Sequence, residues 1–219
     1  MDTAAFLDAL GRAFASFPHD ETPRDPLFER ILAEVGGLAK PNNLALIAAA
    51  TSVLPNGESY VEAGSLKGAS LIAASYGKDG DFVGIDDFSM AEGNRKRLAA
   101  NLEAFGCAHA TVLEGDVFDV LRSGALGDRR VGIYYYDAGH SFEEQVAGLR
   151  LIEPYLADEA LLIVDDTDWE RVERAVDAYL AAQPDATALL RIDGKDRGAP
   201  HWWEGMRVLA WKRPSRTAA

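Results

Sequence analysis

The chain has 219 residues, of which 48% are hydrophobic and 26% charged, with ordinary numbers of glycine and proline. That is enough material for one sizeable core, and it excludes a disordered, collagenous or low-complexity chain. A formal charge of −13 speaks against a nucleic-acid backbone as partner, and apolar runs such as Leu44 to Ala50 fall far short of the roughly 20 residues that span a bilayer.

Met1 to Phe14 carries acids and no basic cluster ahead of an apolar run. It does not read as a secretory leader, so a cytoplasmic protein is expected. Phe6, Leu7, Leu10, Phe14 and Phe17 recur at helical spacing before Pro18. A second helix opens with Asp25 as N-cap and Pro26 at the first helical position, continues through Leu27, Phe28, Ile31, Leu32 and Val35, and stops at Gly36 and Gly37. A third is expected from Asn43 to Leu54, closed by the turn residues Pro55, Asn56 and Gly57.

Beyond that turn the pattern changes, dividing the chain into a helical extension over 1–55 and an α/β domain over 56–213. Strands are expected at Tyr60 to Ala63, Phe82 to Asp86, Ala110 to Glu114, Val131 to Asp137, Ala160 to Asp165, Ala188 to Ile192 and Val208 to Lys212. Helical patterns at Ala91 to Phe105, Phe142 to Leu156 and Trp169 to Ala182 separate the earlier strands, which is the rhythm of a doubly wound, mostly parallel sheet. Only a Gly- and Pro-containing loop, Asp193 to Gly205, joins the last two, so the final strand is expected to run antiparallel beside its predecessor. The single cysteine, Cys107, excludes an intramolecular disulfide and reads as packing. The basic ending, Lys212, Arg213 and Arg216 beside Pro214, reads as a solvated tail.

In open α/β sheets ligands bind beyond the carboxyl ends of the strands, and here those ends are acidic. The first strand runs through Glu62, Ala63, Gly64, Ser65, Leu66, Lys67, Gly68, Ala69 and Ser70 into a helix. Its glycines permit close approach of a ligand, although glycines at such turns often serve the turn alone. Asp86 ends the second strand about 20 residues further on, where nucleoside-binding folds hold ribose hydroxyls. Asp116 and Val117 follow the third strand, where an adenine amino group could be met. The fourth strand delivers Asp137 and, three residues on, His140; the fifth delivers Asp165 and Asp166. Oxygen ligands of this kind suit a hard divalent cation, while the plainer alternative is a set of caps and rim acids. Trp169, His201, Trp202 and Trp203 are candidate walls for a planar or sugar-like molecule, the two consecutive tryptophans serving equally well to fasten their loop; Tyr134 to Tyr136 reads as buried packing.

Over roughly residues 58 to 212 the order of these segments resembles the class I S-adenosylmethionine-dependent methyltransferases, in particular the metal-dependent small-molecule O-methyltransferases of the catechol and macrocin type. Glu62, Gly64, Gly68 and Ser70 match that family's first motif, Glu-x-Gly-x-x-x-Gly-x-Ser. The resemblance implies that these residues, with Ser65 between them, contact the methionine part of the cofactor, that Asp86 takes the ribose, and that Asp116 and Val117 hold the adenine. It further implies that Asp137, beside the cofactor, joins Asp165 and Asp166 in holding Mg²⁺ or Mn²⁺. Two positions depart from the catechol branch: His140 stands where that branch has a lysine, and Asp166 where it has an asparagine. His140 is then the expected general base. The expected partner is a small-molecule acceptor with hydroxyl groups, and the first 55 residues cover the cofactor edge or build a homodimer contact. Alternatives are a metal-independent methyltransferase and a catalytically silent nucleoside-binding module. The dinucleotide pattern G-x-G-x-x-G is lacking, which weakens a nicotinamide dehydrogenase.

Overall fold

A computed structural model describes residues 1–213; Pro214 and Arg216 of the basic ending lie outside the described residues. Three helices come first. Helix α1 (Thr3–Ala13) is capped by Asp2, whose side chain accepts the amides of Ala4 and Ala5. Helix α2 (Leu27–Val35) begins one residue later than the sequence suggests, because Pro26 is not yet helical in its hydrogen bonding, and the Asp25 carboxylate still accepts the Leu27 amide at 2.9 Å. Helix α3 (Pro41–Thr51) starts and stops earlier than expected: Pro41 opens it, the Asn43 side chain accepts the Lys40 amide, and it ends at Thr51, whose hydroxyl donates to Ala74 O of the neighbouring helix.

The α/β part follows as β1 (Ser59–Ala63), α4 (Ala69–Ser75), β2 (Asp81–Asp86), α5 (Asn94–Ala104), β3 (Thr111–Glu114), α6 (Val117–Arg122), β4 (Val131–Tyr136), α7 (Phe142–Ile152), β5 (Leu156–Asp165), α8 (Glu170–Ala182), β6 (Ala186–Ile192) and β7 (Met206–Lys212). Helix α5 is shorter than its apolar pattern because Gly93, at φ +82°, sets its start. Strand β5 is longer than read, because the exposed Asp158 and Glu159 look like loop although Glu159 pairs with Lys212. The seven strands lie in the order β3-β2-β1-β4-β5-β7-β6. Strands β1 to β5 are parallel to one another, and β7 runs antiparallel between β5 and β6, as the missing helix requires. Strand order reverses at β1, which has β2 on one side and β4 on the other, and this opens a crevice at their carboxyl ends.

Alternate side chains of each strand feed two cores. Tyr60, Phe82, Ile133, Tyr135, Leu161 and Ile163 face one cluster, which also contains Phe6, Leu10, Ile31, Leu44 and Leu46 from the first three helices. The extension therefore has no core of its own and completes one face of the sheet. Val61, Val83, Tyr134, Tyr136, Leu162 and Val164 face the other cluster, under α6, α7 and α8. Cys107 is fully buried in the first cluster. Among the described residues no helix is long and apolar enough to cross a membrane.

The β6–β7 loop is held at several points. Trp202 is 1% exposed, donates its indole N–H to Pro18 O at 2.8 Å, and stacks near Phe14 and Phe17. Behind the loop, Glu173 of α8 meets Arg197 at 2.7 Å, Arg191 at 2.8 Å and Arg207 at 3.3 Å. These cations, Arg197 foremost, hold the carboxyl down to about 2. Because this value lies below the ordinary one, the stabilisation is present above about pH 4.5 and is lost as pH falls towards 2. Glu173→Gln should cost about 1–2 kcal/mol at pH 7, a figure discounted for the water that reaches the cluster. Urea unfolding at pH 7 and pH 3 checks this: the gap between variant and parent should shrink at the lower pH, and an equal gap at both would refute it.

Candidate active site

The crevice holds a cavity of about 610 Å³. Its floor is built by the turns after β1, β2 and β4. Gly64, at φ +91°, lies so close to β4 that an added Cβ would stand 1.9 Å from Asp137 O. Only glycine allows β1 and β4 to approach in this way. Gly64→Ala should force the two strand ends apart, at a cost of about 4 kcal/mol or more and on the order of 10 °C in Tm. A thermal melt that leaves Tm unchanged would contradict the close approach.

Asp86 ties two loops together. One carboxylate oxygen accepts the Leu66 amide at 2.7 Å and the other the Phe88 amide at 2.6 Å, with both donor residues in the left-handed region at φ 47° and 57°. Each oxygen keeps a further lone pair, and Asp86 lines the cavity. Asp116 also lines it, while its side chain accepts the Phe118 and Asp119 amides as the cap of α6. Val117, Ser65 and Ser70 complete this end, and Ser65 Oγ is buried without a hydrogen-bond partner.

Two motif residues are not in the wall. Gly68 serves conformation: at φ +93° it caps α4, and its open side faces Leu98. Glu62 lies beneath the floor, fully buried, where its carboxylate accepts the Tyr60 hydroxyl at 2.7 Å. Burial pushes it up to about 7 although it accepts the Tyr60 hydroxyl.

At the other end Asp137, His140 and Asp166 converge, and one donor atom from each lies within 4.8 Å of the others. His140 Nε2 is 2.6 Å from Asp166 Oδ2 and 3.8 Å from Asp137 Oδ1, yet its N–H aligns with neither as a hydrogen bond. The carboxylates of Asp137 and Asp166 raise the imidazole to about 10. Asp137 opens onto the cavity but is deeply set among protein atoms, and burial pushes it upward against the pull of His140. Asp166 sits in the left-handed region at φ 56°, which turns its side chain into the cavity immediately after β5.

Asp165 does not join them. Its Oδ1 accepts the Asp166 amide at 2.9 Å and its Oδ2 accepts the hydroxyl of Tyr135. Burial, then the neighbouring Asp137 and Asp166, push it well above the usual carboxylate range. The cause is the alternation of β5: Asp165 and Asp166 follow one another on an extended chain and cannot both face the crevice until the backbone turns at Asp166. The geometry thus exchanges Asp165 for His140 in the set the sequence suggested.

Tyr135 is a cavity-lining residue that the sequence pattern hid. It lies at the cavity floor, with its hydroxyl at Asp165 and 3.3 Å from Asp137 Oδ2. The available signal was the spacing: Tyr60 and Glu62 on β1, and Tyr135 and Asp137 at the end of β4, are two residues apart and share a strand face. The aromatic walls divide as well. Trp169 stands 5.0 Å from the His140 ring with Arg171 over it at 4.5 Å, and Trp203 lines the cavity under Lys195 at 4.3 Å. Trp202 fastens the loop, and His201 lies outside the cavity wall.

A parallel sheet with one reversed strand, a reversal of order at β1 and an acid at each strand end around the crevice define the class I methyltransferase fold. More narrowly, residues 61–167 match the family model of a methyltransferase domain. Similar solved structures include an O-methyltransferase from Bacillus cereus in complex with SAH, 15% identical, with 97% of this chain and 100% of that one covered and a TM-score of 0.67. Cofactor-bound Rv0187 from MTB is 20% identical, with 97% of each chain covered and a TM-score of 0.65. CalS11, a TDP-rhamnose 3′-O-methyltransferase of calicheamicin biosynthesis, is 20% identical, with 95% of this chain and 94% of that one covered and a TM-score of 0.56. At these identities the likeness is one of fold. No curated protein matches the chain in sequence.

Proposed function

We propose that this chain transfers a methyl group from S-adenosylmethionine to a hydroxyl oxygen of a small molecule, assisted by a divalent cation. One observation carries the reading: a single cavity holds the Asp86 clasp at one end and Asp137, His140 and Asp166 at the other. The cofactor fits the first end, where Asp86 offers lone pairs to ribose hydroxyls, Ser65 Oγ lacks a partner, and Asp116 and Val117 flank the place of the base. When bound it supplies the electrophilic methyl. A cation fits the second end, where two carboxylate oxygens and an imidazole nitrogen without an aligned hydrogen bond converge. When bound it holds acceptor oxygens and lowers the pKa of one hydroxyl. The SAH of the Bacillus cereus protein and the sugar O-methylation named for CalS11 support the same reading.

The residues then divide the work. Asp137 and Asp166 carry the charge that holds the cation end together, and Trp169 and Trp203 shield the acceptor from water. His140 belongs with the cation ligands. Its two carboxylate neighbours raise the imidazole to about 10, so Nε2 joins a cation only by giving up its proton.

Titration calorimetry tests the reading. S-adenosylhomocysteine should bind with or without chelator, whereas methyl transfer to catechol- or sugar-type acceptors should stop on exhaustive chelation and return with added cation. Full transfer in the chelated protein would refute the cation and leave the cofactor in place. The raised imidazole adds a sign: a ligand nitrogen must be neutral, so cation binding at pH 7 should release about one proton, and affinity should climb as pH rises towards 10. Buffers of different ionisation enthalpy report that proton.

A further inference from the structure

The cavity wall is acidic at both ends: Asp86, Asp87 and Asp116 line the clasp end, and Asp137, Asp166 and Glu204 line the cation end. Among the described residues, Lys67 is the one lysine or arginine in this wall. Its backbone is fixed on both sides. The preceding amide, of Leu66, is held by Asp86 at 2.7 Å, and its own carbonyl accepts the side-chain amide of Asn101 at 2.9 Å. The half-buried side chain reaches the α2–α3 loop, where a Cβ added to Gly36 would stand 3.7 Å from Nζ. Lys195 and Lys212 pair with Glu204 and Glu159, whereas Lys67 enters no ion pair among the described residues. A lysine pinned at its backbone, with an uncommitted ammonium in a wall of carboxylates, is placed for an anion that arrives with the ligand.

We propose that Lys67 holds the carboxylate at the methionine end of the cofactor. This rests on the reading that the cavity takes S-adenosylmethionine, and it follows from charge. The sulfonium and α-ammonium of that molecule are cations, which the acids of the cavity attract; its α-carboxylate is its one anion, which they repel. Lys67 supplies the compensating charge, and a charge-assisted hydrogen bond from Nζ is stronger than a neutral one. Gly36 and Gly37 belong to the same wall, so the helical extension and the turn after β1 enclose the carboxylate between them. The lysine thus has a task separate from that of Gly64 and Gly68, which shape the turn on which it stands.

The test is a thermodynamic cycle on the whole chain without added cation or acceptor, read by titration calorimetry with two probes. One is S-adenosylhomocysteine; the other is its decarboxylated analogue, which keeps the amine. The unaltered protein should bind the first about tenfold or more tighter than the second, by a margin that shrinks as salt rises. Lys67→Met should weaken S-adenosylhomocysteine by about that factor and leave the analogue within about twofold, so that the margin closes and the two losses do not add. Lys67→Arg should restore the margin. A merely structural lysine would weaken both probes alike. Lys67→Gln takes the place of the methionine variant if that one folds poorly. Equal affinity of the two probes for the unaltered protein, or a margin that persists in folded Lys67→Met or Lys67→Gln, would overturn the proposal and leave the cofactor reading standing. Binding of neither probe to the unaltered protein overturns both.

Discussion

Asp166→Ala should lose divalent-cation binding and methyl transfer together, with turnover falling by about 10³-fold, while the heat of S-adenosylhomocysteine binding survives. Asp166 is 7% exposed, faces the cavity from the residue directly after β5, and is the nearer of the two carboxylates to His140, at 2.6 Å. Its removal leaves Asp137 and His140 as a simple ion pair, and one carboxylate with one imidazole holds a divalent ion weakly. The cofactor end does not depend on it, since the Asp86 clasp is made by Leu66 and Phe88. Retained transfer with undiminished cation affinity would remove Asp166 from the site.

The second large effect separates two roles for one residue. His140→Ala should cut turnover by about 10² to 10⁴ and weaken cation binding in proportion, so that high Mn²⁺ restores part of the activity. If His140 were instead a free base, turnover would fall with cation affinity intact, and added imidazole would restore it. The first outcome is expected because Nε2 converges with the carboxylate oxygens of Asp137 and Asp166. Apparent cation affinity and imidazole rescue, measured on one variant, decide between them.

Much of this architecture was legible in the residues. Seven strands, their parallel order and the reversed last strand followed from apolar runs, helical spacing and a loop too short for a helix. Element ends were less so, for local reasons: Gly93 delays α5, and the exposed Asp158 and Glu159 conceal the start of β5. The site divided along the same line. Asp86, Asp116 and Asp137 stood out because strand ends face the crevice whatever the side chains do. Whether Asp165 or Asp166 turned inward depended on a single left-handed residue, which no apolar pattern records. Tyr135 was hidden because a buried tyrosine in a strand looks like packing until the partner of its hydroxyl is known.

The place of β7 has a consequence for how the molecule comes together. Strands β5 and β6 do not pair with each other; each is bonded to β7, which follows both in the chain. Until β7 inserts, one edge of β5 stays unpaired and β6 has no neighbour, so the sheet is open at its apolar middle. The wall that carries Trp203 and Glu204 is tethered to the start of the same strand and cannot close earlier. Completion of the cavity wall is therefore tied to the last pairing event. A nascent chain that stalls before it carries a half-built crevice and a bare strand edge, the point at which a chaperone or another unfinished copy would attach.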